Sequence, residues 1–248
     1  MPKPASAPLF SIITVVRNAV DTVEYCIESV RNQSLTDFEY IVIDGLSDDG
    51  TSEVISAHQS VIDIYVREKD AGIYDAMNKA IAMCRGRYIG IINADDAYFE
   101  DTLKNVQKVI TEFPNSQIIY GGMEILGKGG GSFLVDHSNL DQAMIAHPSC
   151  FVSAEAYRLF GAFNTDFKIA ADYDFMLRAR NAGAVFHNSG LHLAKYRPGG
   201  ASAKFRLKSI KEMIATQGHH LGWGPFYRRY RLARYLAATF LKPVNRKI

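Results

Sequence analysis

The sequence predicts an α/β fold with a mainly parallel central sheet flanked by helices, and three observations carry that prediction. Short apolar runs recur through the first half, at 11–16, 40–43, 62–66, 88–92 and 117–120. Segments of helical spacing separate them, at 21–32, 51–58, 74–84 and 101–113. Polar residues repeatedly stand where an apolar run stops. Strands that alternate with helices of about ten residues build βαβ units, and these set their strands parallel.

Taken in order, the first helix has Val23, Ile27 and Val30 on one side, with Asp21 or Thr22 as N-cap. The 101–113 helix ends before Pro114. GGMEILGKGGGSF reads as a Gly-rich hairpin or loop, and it is no P-loop because no GK[ST] follows a strand. Two further helices are expected at 141–160 and 170–182, then a loop at 196–202, YRPGGAS, after which a basic tail begins. There is no internal repeat and no clear interdomain linker.

The chain has 248 residues, 48% hydrophobic and 22% charged, as in an ordinary globular protein with a sizeable core. Net charge is +2, but eleven Lys or Arg face a single acid, Glu212, between 204 and 248. Such asymmetry signals an anionic partner, membrane or nucleic acid. Cys26, Cys84 and Cys150 have no metal-ligand or CxxC spacing and suit a reducing compartment. MPKPASAPLF has no apolar h-region, and no window approaches the roughly 18 apolar residues of a membrane span. A cytoplasmic location is expected.

The run 88–92 stops on Asn93-Ala94-Asp95-Asp96. Adjacent carboxylates repel unless a cation or a set of donors lies between them. A divalent cation suits the pair, since Mg²⁺ is typically held by one or two carboxylates plus substrate phosphates. The bland alternative is a pair of capping acids before the helix at Thr102. In IVIDGLSDDGT, Asp44 ends a strand and can accept from a base N–H, whereas Ser47, Asp48 and Asp49 read as turn and capping residues before Thr51. In EKDAGIYDAMNKAI, Gly72 permits close approach of backbone to a ligand. Asp75, Asn78 and Lys79 follow, with a solvated helix start as the alternative. Ligands of such sheets gather at the carboxyl ends of strands, which puts Arg17, Asn18, Asp44 and the NADD acids along one rim.

SIITVVRN, VIDGLSDDGT, DAGIYDAMNKAI, IINADDAYF and ADYDFMLR occur in the order seen in family 2 glycosyltransferases with the GT-A fold. Across residues 8–202 the sequence resembles small bacterial members that build exopolysaccharide, O-antigen or glycolipid glycans. The resemblance implies a Rossmann-like GT-A domain at 1–203 and a helical, basic, amphipathic C-terminal extension at 204–248. It also implies an enzyme that moves a sugar from a nucleotide-diphosphate-sugar donor to a hydroxyl of a saccharide or glycolipid acceptor, with inversion.

Carried over by residue, Asp44 matches the acid that contacts the nucleobase, and Thr14 and Val16 lie on the strand end lining the base pocket. Asn93 and Asp95 occupy the outer positions of D-x-D, the first toward the ribose and the last toward Mg²⁺ or Mn²⁺. Because Asn93 replaces an Asp, metal coordination rests more heavily on Asp95. Met77 stands where many relatives have Arg, which leaves Lys79 as the nearby diphosphate candidate. Asn18, Asp70, Asn78 and Asp96 complete the donor-side set, and Arg197 beside two glycines is a candidate to close on the diphosphate. IAADYDFMLRAR resembles E-D-x-D-L-x-x-R, with Asp172 at the catalytic base, Ala171 in place of Glu, and Asp174 and Arg178 at structural positions. Helix N-capping is the alternative role for Asp172, and the two acids of DYD point to different faces. His147 is an acceptor-side candidate and His192 a second candidate metal ligand, although a lone His is more often a satisfied core or surface residue.

In FYRRYRLARYLAATFLKP, basic residues mix with Phe226, Tyr227, Tyr230, Leu232, Tyr235, Leu236 and Phe240, a pattern suited to an anionic membrane surface. Anionic lipid contributes about 1 kcal/mol per nearby Lys or Arg. The expectation is a peripheral protein at the inner face of the plasma membrane; the alternative is a helix packed on the domain or on another subunit. No nucleic-acid motif accompanies the charge. A sugar-nucleotide nucleotidyltransferase would carry a Gly-rich basic loop after the first strand, which VVRNAVDTV lacks. A dinucleotide oxidoreductase would show GxGxxG there. A non-catalytic nucleotide- or sugar-binding scaffold would need no base.

Overall fold

The computed structural model describes residues 7–127, 130–200 and 205–240, with side chains through residue 235 in the last segment. The first half alternates as expected: β1 (Phe10–Val16), α1 (Val23–Arg31), β2 (Phe38–Asp44), α2 (Thr51–Ala57), β3 (Ile64–Arg67), α3 (Ile73–Met83) and β4 (Tyr88–Ile91). A short β5 (Ala97–Tyr98) precedes α4 (Thr102–Glu112). β1 pairs in parallel with both β2 and β4, and β2 with β3. Every residue of β1 and β2 is buried, because helices cover both faces of these strands.

Side chains alternate along each strand, so each face has its own core. Ile13, Val15, Ile41 and Ile43 pack with Tyr74, Met77 and Ala80 of α3. Ile12, Val16, Tyr40 and Val42 pack with Val23, Ile27 and Val30 of α1 and with Leu103 and Val106 of α4. Burying each of these side chains fully contributes roughly 1.5–3 kcal/mol. Thr22 does hold the N-cap position of α1, but its hydroxyl donates back to the Ala19 carbonyl and caps no amide.

The second half departs from the expected elements. The helix expected at 141–160 is a 3₁₀ turn (His147–Ser149), a strand β8 (Cys150–Ser153) and a shorter helix α5 (Ala154–Phe160). Pro148 has no amide to extend a helix, and Ser153 opens α5 by accepting from the Ala156 amide at 3.1 Å. β8 runs antiparallel between β4 and β6 (Ile118–Ile125). β6 continues beyond Tyr120 through Gly121 and Gly122, and β7 (Ser132–Phe133) folds back on it as the Gly-rich hairpin. β6 also pairs in parallel with β9 (Phe186–Tyr196), an element whose mixed composition hides it from pattern reading. A Cβ on Gly121 would lie 2.4 Å from the Leu191 carbonyl oxygen, so glycine permits this close approach. The sheet runs β3-β2-β1-β4-β8-β6-β9-β5.

Three helices complete the described chain: α6 (Ala171–Asn181), α7 (Arg206–His220) and α8 (Pro225–Phe240). α7 lies along α6 and α8 along α7. Ile210 and Ile214 of α7 are buried, Gln217 Nε2 donates to the Tyr173 hydroxyl at 2.9 Å, and His220 pairs with Asp174 at 2.8 Å. The expected boundary between 203 and 204, the end of the expected loop at 196–202, and the side chains of Leu236 and Phe240 lie outside the described residues. Among the described residues no helix is long and apolar enough to cross a membrane.

Candidate active site

The loops after β1 and β2 hold one another at the carboxyl rim of the sheet. The Gly45 amide donates to the Val16 carbonyl at 2.9 Å, the Asn18 amide to Ser47 Oγ at 2.9 Å, and the Asp48 amide to Asn18 Oδ1 at 3.0 Å. Asn18 sits at φ 53, a left-handed conformation that Asn tolerates.

Asp44 is fully buried. Its Oδ1 accepts from the Ser47 amide (2.8 Å) and hydroxyl (2.6 Å); Oδ2 accepts from Ser52 (2.8 Å) and Tyr65 (3.2 Å) and faces Arg67 Nε at 3.3 Å. Burial opposes the ionised form, but the hydrogen bonds led by Ser47 outweigh it and hold the carboxyl below its ordinary pKa. A carboxylate with its lone pairs so fully engaged braces the loop after β2. The side chains of Thr14 and Val16 also turn inward. Thr14 Oγ1 accepts from the Tyr40 hydroxyl at 3.0 Å, and Val16 packs in the α1 core, so only their backbone reaches the rim.

The segment before and within α3 carries three expected donor residues. Asp70 lies directly on the loop after β2: a Cβ on Gly45 would sit 2.2 Å from Asp70 Oδ2. Asn78 exchanges two hydrogen bonds with the Phe163 backbone (2.8 and 3.0 Å), which occupies its amide and makes it a loop anchor. Lys79 Nζ meets Glu68 (2.8 Å), Asp75 (3.2 Å) and the Lys69 carbonyl (3.1 Å), so its three donors are taken.

In the NADD turn Asp96 is fully buried, accepting from the Arg197 amide and from Asn93 Nδ2, both at 3.0 Å. Burial pushes this carboxyl up to about 7, against the Arg197 hydrogen bond and with the neighbouring Asp95 charge adding to the rise. Asp96 therefore ties the turn to the end of β9, and β5 separates the pair from α4, which removes the capping alternative. The Arg197 guanidinium rests over the Tyr25 ring at 5.5 Å. Gly200 approaches Asp95 so closely that a Cβ would stand 2.9 Å from Oδ2. Among the described residues no three His, Cys, Asp or Glu side chains converge on a metal position. A divalent cation held through Asp95, against which Gly200 packs, would take its remaining ligands from phosphate and water. His192 does not join it: it faces Gly122 on β6, five residues before Arg197, or roughly 15 Å along the strand.

Asp172 occupies the first turn of α6 and is buried. Its Oδ1 accepts from the Tyr173 amide (2.9 Å) and lies 3.0 Å from the Tyr74 hydroxyl. Tyr74 is in the first turn of α3, just after the carboxyl end of β3, so this contact sets Asp172 on the same rim as Asp95. Burial raises the Asp172 pKa, with the His147 charge pulling the other way; burial lowers that of His147. His147 packs edge-on against Phe163, and its Nε2 is buried with no hydrogen-bond partner among the described residues. Asp174 turns to the opposite side, toward His220 and Arg178, so the two acids of DYD do separate. Asp172 is not the N-cap of α6, a place held by Ala170, whose amide donates to Glu212 of α7.

Sequence reasoning missed Tyr74, Gly45, Gly200 and Glu212. The signal for Glu212 was present: it is the single acid in an otherwise basic segment. A cleft of about 720 Å³ lies at the amino ends of β1 and β4, lined by Pro8, Arg85, Arg87, Ser116, Glu155 and Arg158. Ligands of such sheets gather at the opposite, carboxyl ends, so the rim carrying Asp95 and Asp172 is the candidate site.

The family model for "Glycosyl transferase family 2" matches residues 11–173. A PGL/p-HBAD biosynthesis glycosyltransferase of Mycobacterium bovis is 31% identical over 180 residues, covering 70% of each chain. Staphylococcus aureus TarS 1-349, solved with UDP-GlcNAc, superposes with a TM-score of 0.72 at 16% identity, over 94% of this chain and 73% of that one. The mannosyltransferase PcManGT from Pyrobaculum calidifontis, solved with GDP-Man and Mn²⁺, gives 0.69 at 17% identity, over 99% and 79%. These two likenesses show the shared GT-A fold. With that fold, two carboxylates, Asp95 and Asp172, on one rim, and a family match over most of the chain, the protein belongs to glycosyl transferase family 2.

Proposed function

We propose that this glycosyltransferase moves a sugar from a nucleotide-diphosphate-sugar donor to a hydroxyl of a saccharide or lipid-linked acceptor, with inversion, in cell-surface glycan synthesis. The observation that carries the reading is the placement of Asp172: buried, held on one oxygen by Tyr74 and Tyr173, and beside His147. Asp172 takes the proton of the acceptor hydroxyl as that oxygen bonds to the anomeric carbon. The bond from that carbon to the diphosphate oxygen breaks, and the nucleoside diphosphate leaves with the electron pair. A single displacement of this kind inverts the centre. A raised pKa suits a general base, because a more basic carboxylate takes a proton more readily.

On the donor side Asn93 serves the ribose and Arg197 the diphosphate once its guanidinium leaves the Tyr25 ring, while Asp44, Asn18 and Asp70 act by holding the loops that enclose the base. A Mg²⁺ or Mn²⁺ ion held through Asp95 would supply Lewis-acid stabilisation to the leaving diphosphate. His147 lines the acceptor side. The PGL/p-HBAD relative and the sugar nucleotides of the two solved neighbours support a glycolipid setting and a nucleotide-sugar donor. The exposed Phe226, Tyr227, Tyr230 and Tyr235 of α8, interleaved with Arg228, Arg229, Arg231 and Arg234, suit an anionic membrane surface where a lipid-linked acceptor resides. Co-sedimentation that needs anionic lipid in the vesicles supports that placement; equal partition with and without it does not.

The test is calorimetry with UDP, GDP, dTDP and CDP, with and without Mn²⁺, on wild type and Asp95→Ala. One nucleotide binds, and its affinity falls when either Mn²⁺ or the Asp95 carboxylate is removed. Binding of none of the four overturns the reading.

A further inference from the structure

The start of a helix leaves amides without intrahelical acceptors, and something must satisfy them when that end is buried. At the entry to α6, the N-cap Ala170 and the two residues before it find their acceptor in a distant part of the chain. A single oxygen of Glu212, Oε2, accepts from the amides of Lys168 (3.0 Å), Ile169 (2.7 Å) and Ala170 (3.1 Å). A carboxylate is well suited to this place, because charge-assisted hydrogen bonds are strong and the helix amino end favours an anion.

The same peptide is gripped from its other side. The Ile169 carbonyl accepts from the Tyr74 hydroxyl at 2.6 Å, and that hydroxyl lies 3.0 Å from Asp172 Oδ1. Glu212, the Ile169 peptide, Tyr74 and Asp172 thus form one connected path. Docking of α7 does not depend on Glu212 alone, since Ile210, Ile214, Gln217 and His220 also bind it to its neighbours. What Glu212 adds is a fixed backbone immediately before the base.

We propose that Glu212 is a positioning residue for the reaction: carried on the C-terminal helix α7, it fixes the 168–170 backbone from which Asp172 and Tyr74 are aimed. This rests on Asp172 being the base. It follows that α7 is part of the working catalytic unit.

The test compares Glu212→Met, which keeps the apolar stem and loses the acceptor, with Glu212→Gln, which keeps a neutral acceptor oxygen. The readouts are hydrolysis of the sugar nucleotide selected by calorimetry, its KM, and hydrogen exchange of the 168–170 amides. Glu212→Met should exchange these amides faster and lose about 10- to 100-fold in kcat, as small misplacements of a reacting group do, with donor KM within two-fold of wild type. Glu212→Gln should recover most of kcat. If melting shows Glu212→Met to be unfolded, Glu212→Ala replaces it in the same comparison. Faster exchange with unchanged kcat overturns the proposal, as does a loss confined to donor KM. Full activity in Asp172→Asn would instead remove the base assignment itself, so the two failures are distinguishable.

Discussion

The Tyr74 hydroxyl stands 2.6 Å from the Ile169 carbonyl oxygen and 3.0 Å from Asp172 Oδ1, one proton facing two acceptors. The carbonyl cannot donate, so the phenol is what orients the carboxylate against the backbone. Tyr74→Phe keeps the ring packing against Phe163 and removes only that link. Losing one such hydrogen bond costs about 0.5–1.5 kcal/mol, or up to about tenfold in rate if felt in the transition state. Steady-state kinetics should show kcat for donor hydrolysis reduced within that range and donor KM unchanged; a change in KM alone contradicts it.

Asn78 and Phe163 exchange two hydrogen bonds across a sequence separation of 85 residues. Asn78→Ala leaves a half-buried backbone pair unsatisfied, which costs about 1–3 kcal/mol. Urea unfolding should report that loss, while calorimetry should find nucleotide affinity within two-fold of wild type. An intact midpoint with abolished nucleotide binding would return Asn78 to the donor site.

Gly200 leaves room beside Asp95 that a methyl group would fill, 2.9 Å from Oδ2. Gly200→Ala forces the carboxylate or the loop to shift. Nucleotide binding in Mn²⁺ should weaken by about tenfold, equivalent to roughly 1.4 kcal/mol, whereas binding without Mn²⁺ should not change. Equal loss in both conditions would point to a collapsed loop.

The first half of the fold was legible because buried parallel strands read as unbroken apolar runs, and the helices between them keep a clear period. The separation of Asp172 from Asp174 was legible from helix geometry alone. β9 was not, since a strand containing His187, Asn188, Gly190 and His192 is specified by its partner β6, whose glycines only make sense once the two are side by side. The setting of Asp44 was hidden for a related reason. A strand-end acid looks open in sequence, and only the fold brings Ser52, Tyr65 and Arg67 onto its second oxygen. Lys79 was likewise judged by its position, without sight of Glu68 and Asp75 around its ammonium group.

The burial that raises the Asp172 pKa also sets a stability signature. Its folded pKa is raised above the unfolded value, so the native state binds the extra proton. The stability this contributes is fully present below the unfolded carboxylate pKa, near 3.8, and is lost as pH rises through the higher folded value. Asp172→Asn keeps an acceptor for the Tyr173 amide and never ionises. Its melting temperature should equal that of wild type near pH 4 and exceed it increasingly toward pH 8. Each kcal/mol gained would appear as about 2–4 °C in a chain of this size. Donor hydrolysis should be lost over the whole range, since no carboxylate remains to take the proton. In wild type the hydrolysis rate should rise with pH along a limb lying above the ordinary carboxylate range of about 4. Melting curves that run parallel at every pH would mean that Asp172 ionises in the folded protein as easily as in water, and the buried base would have to be abandoned.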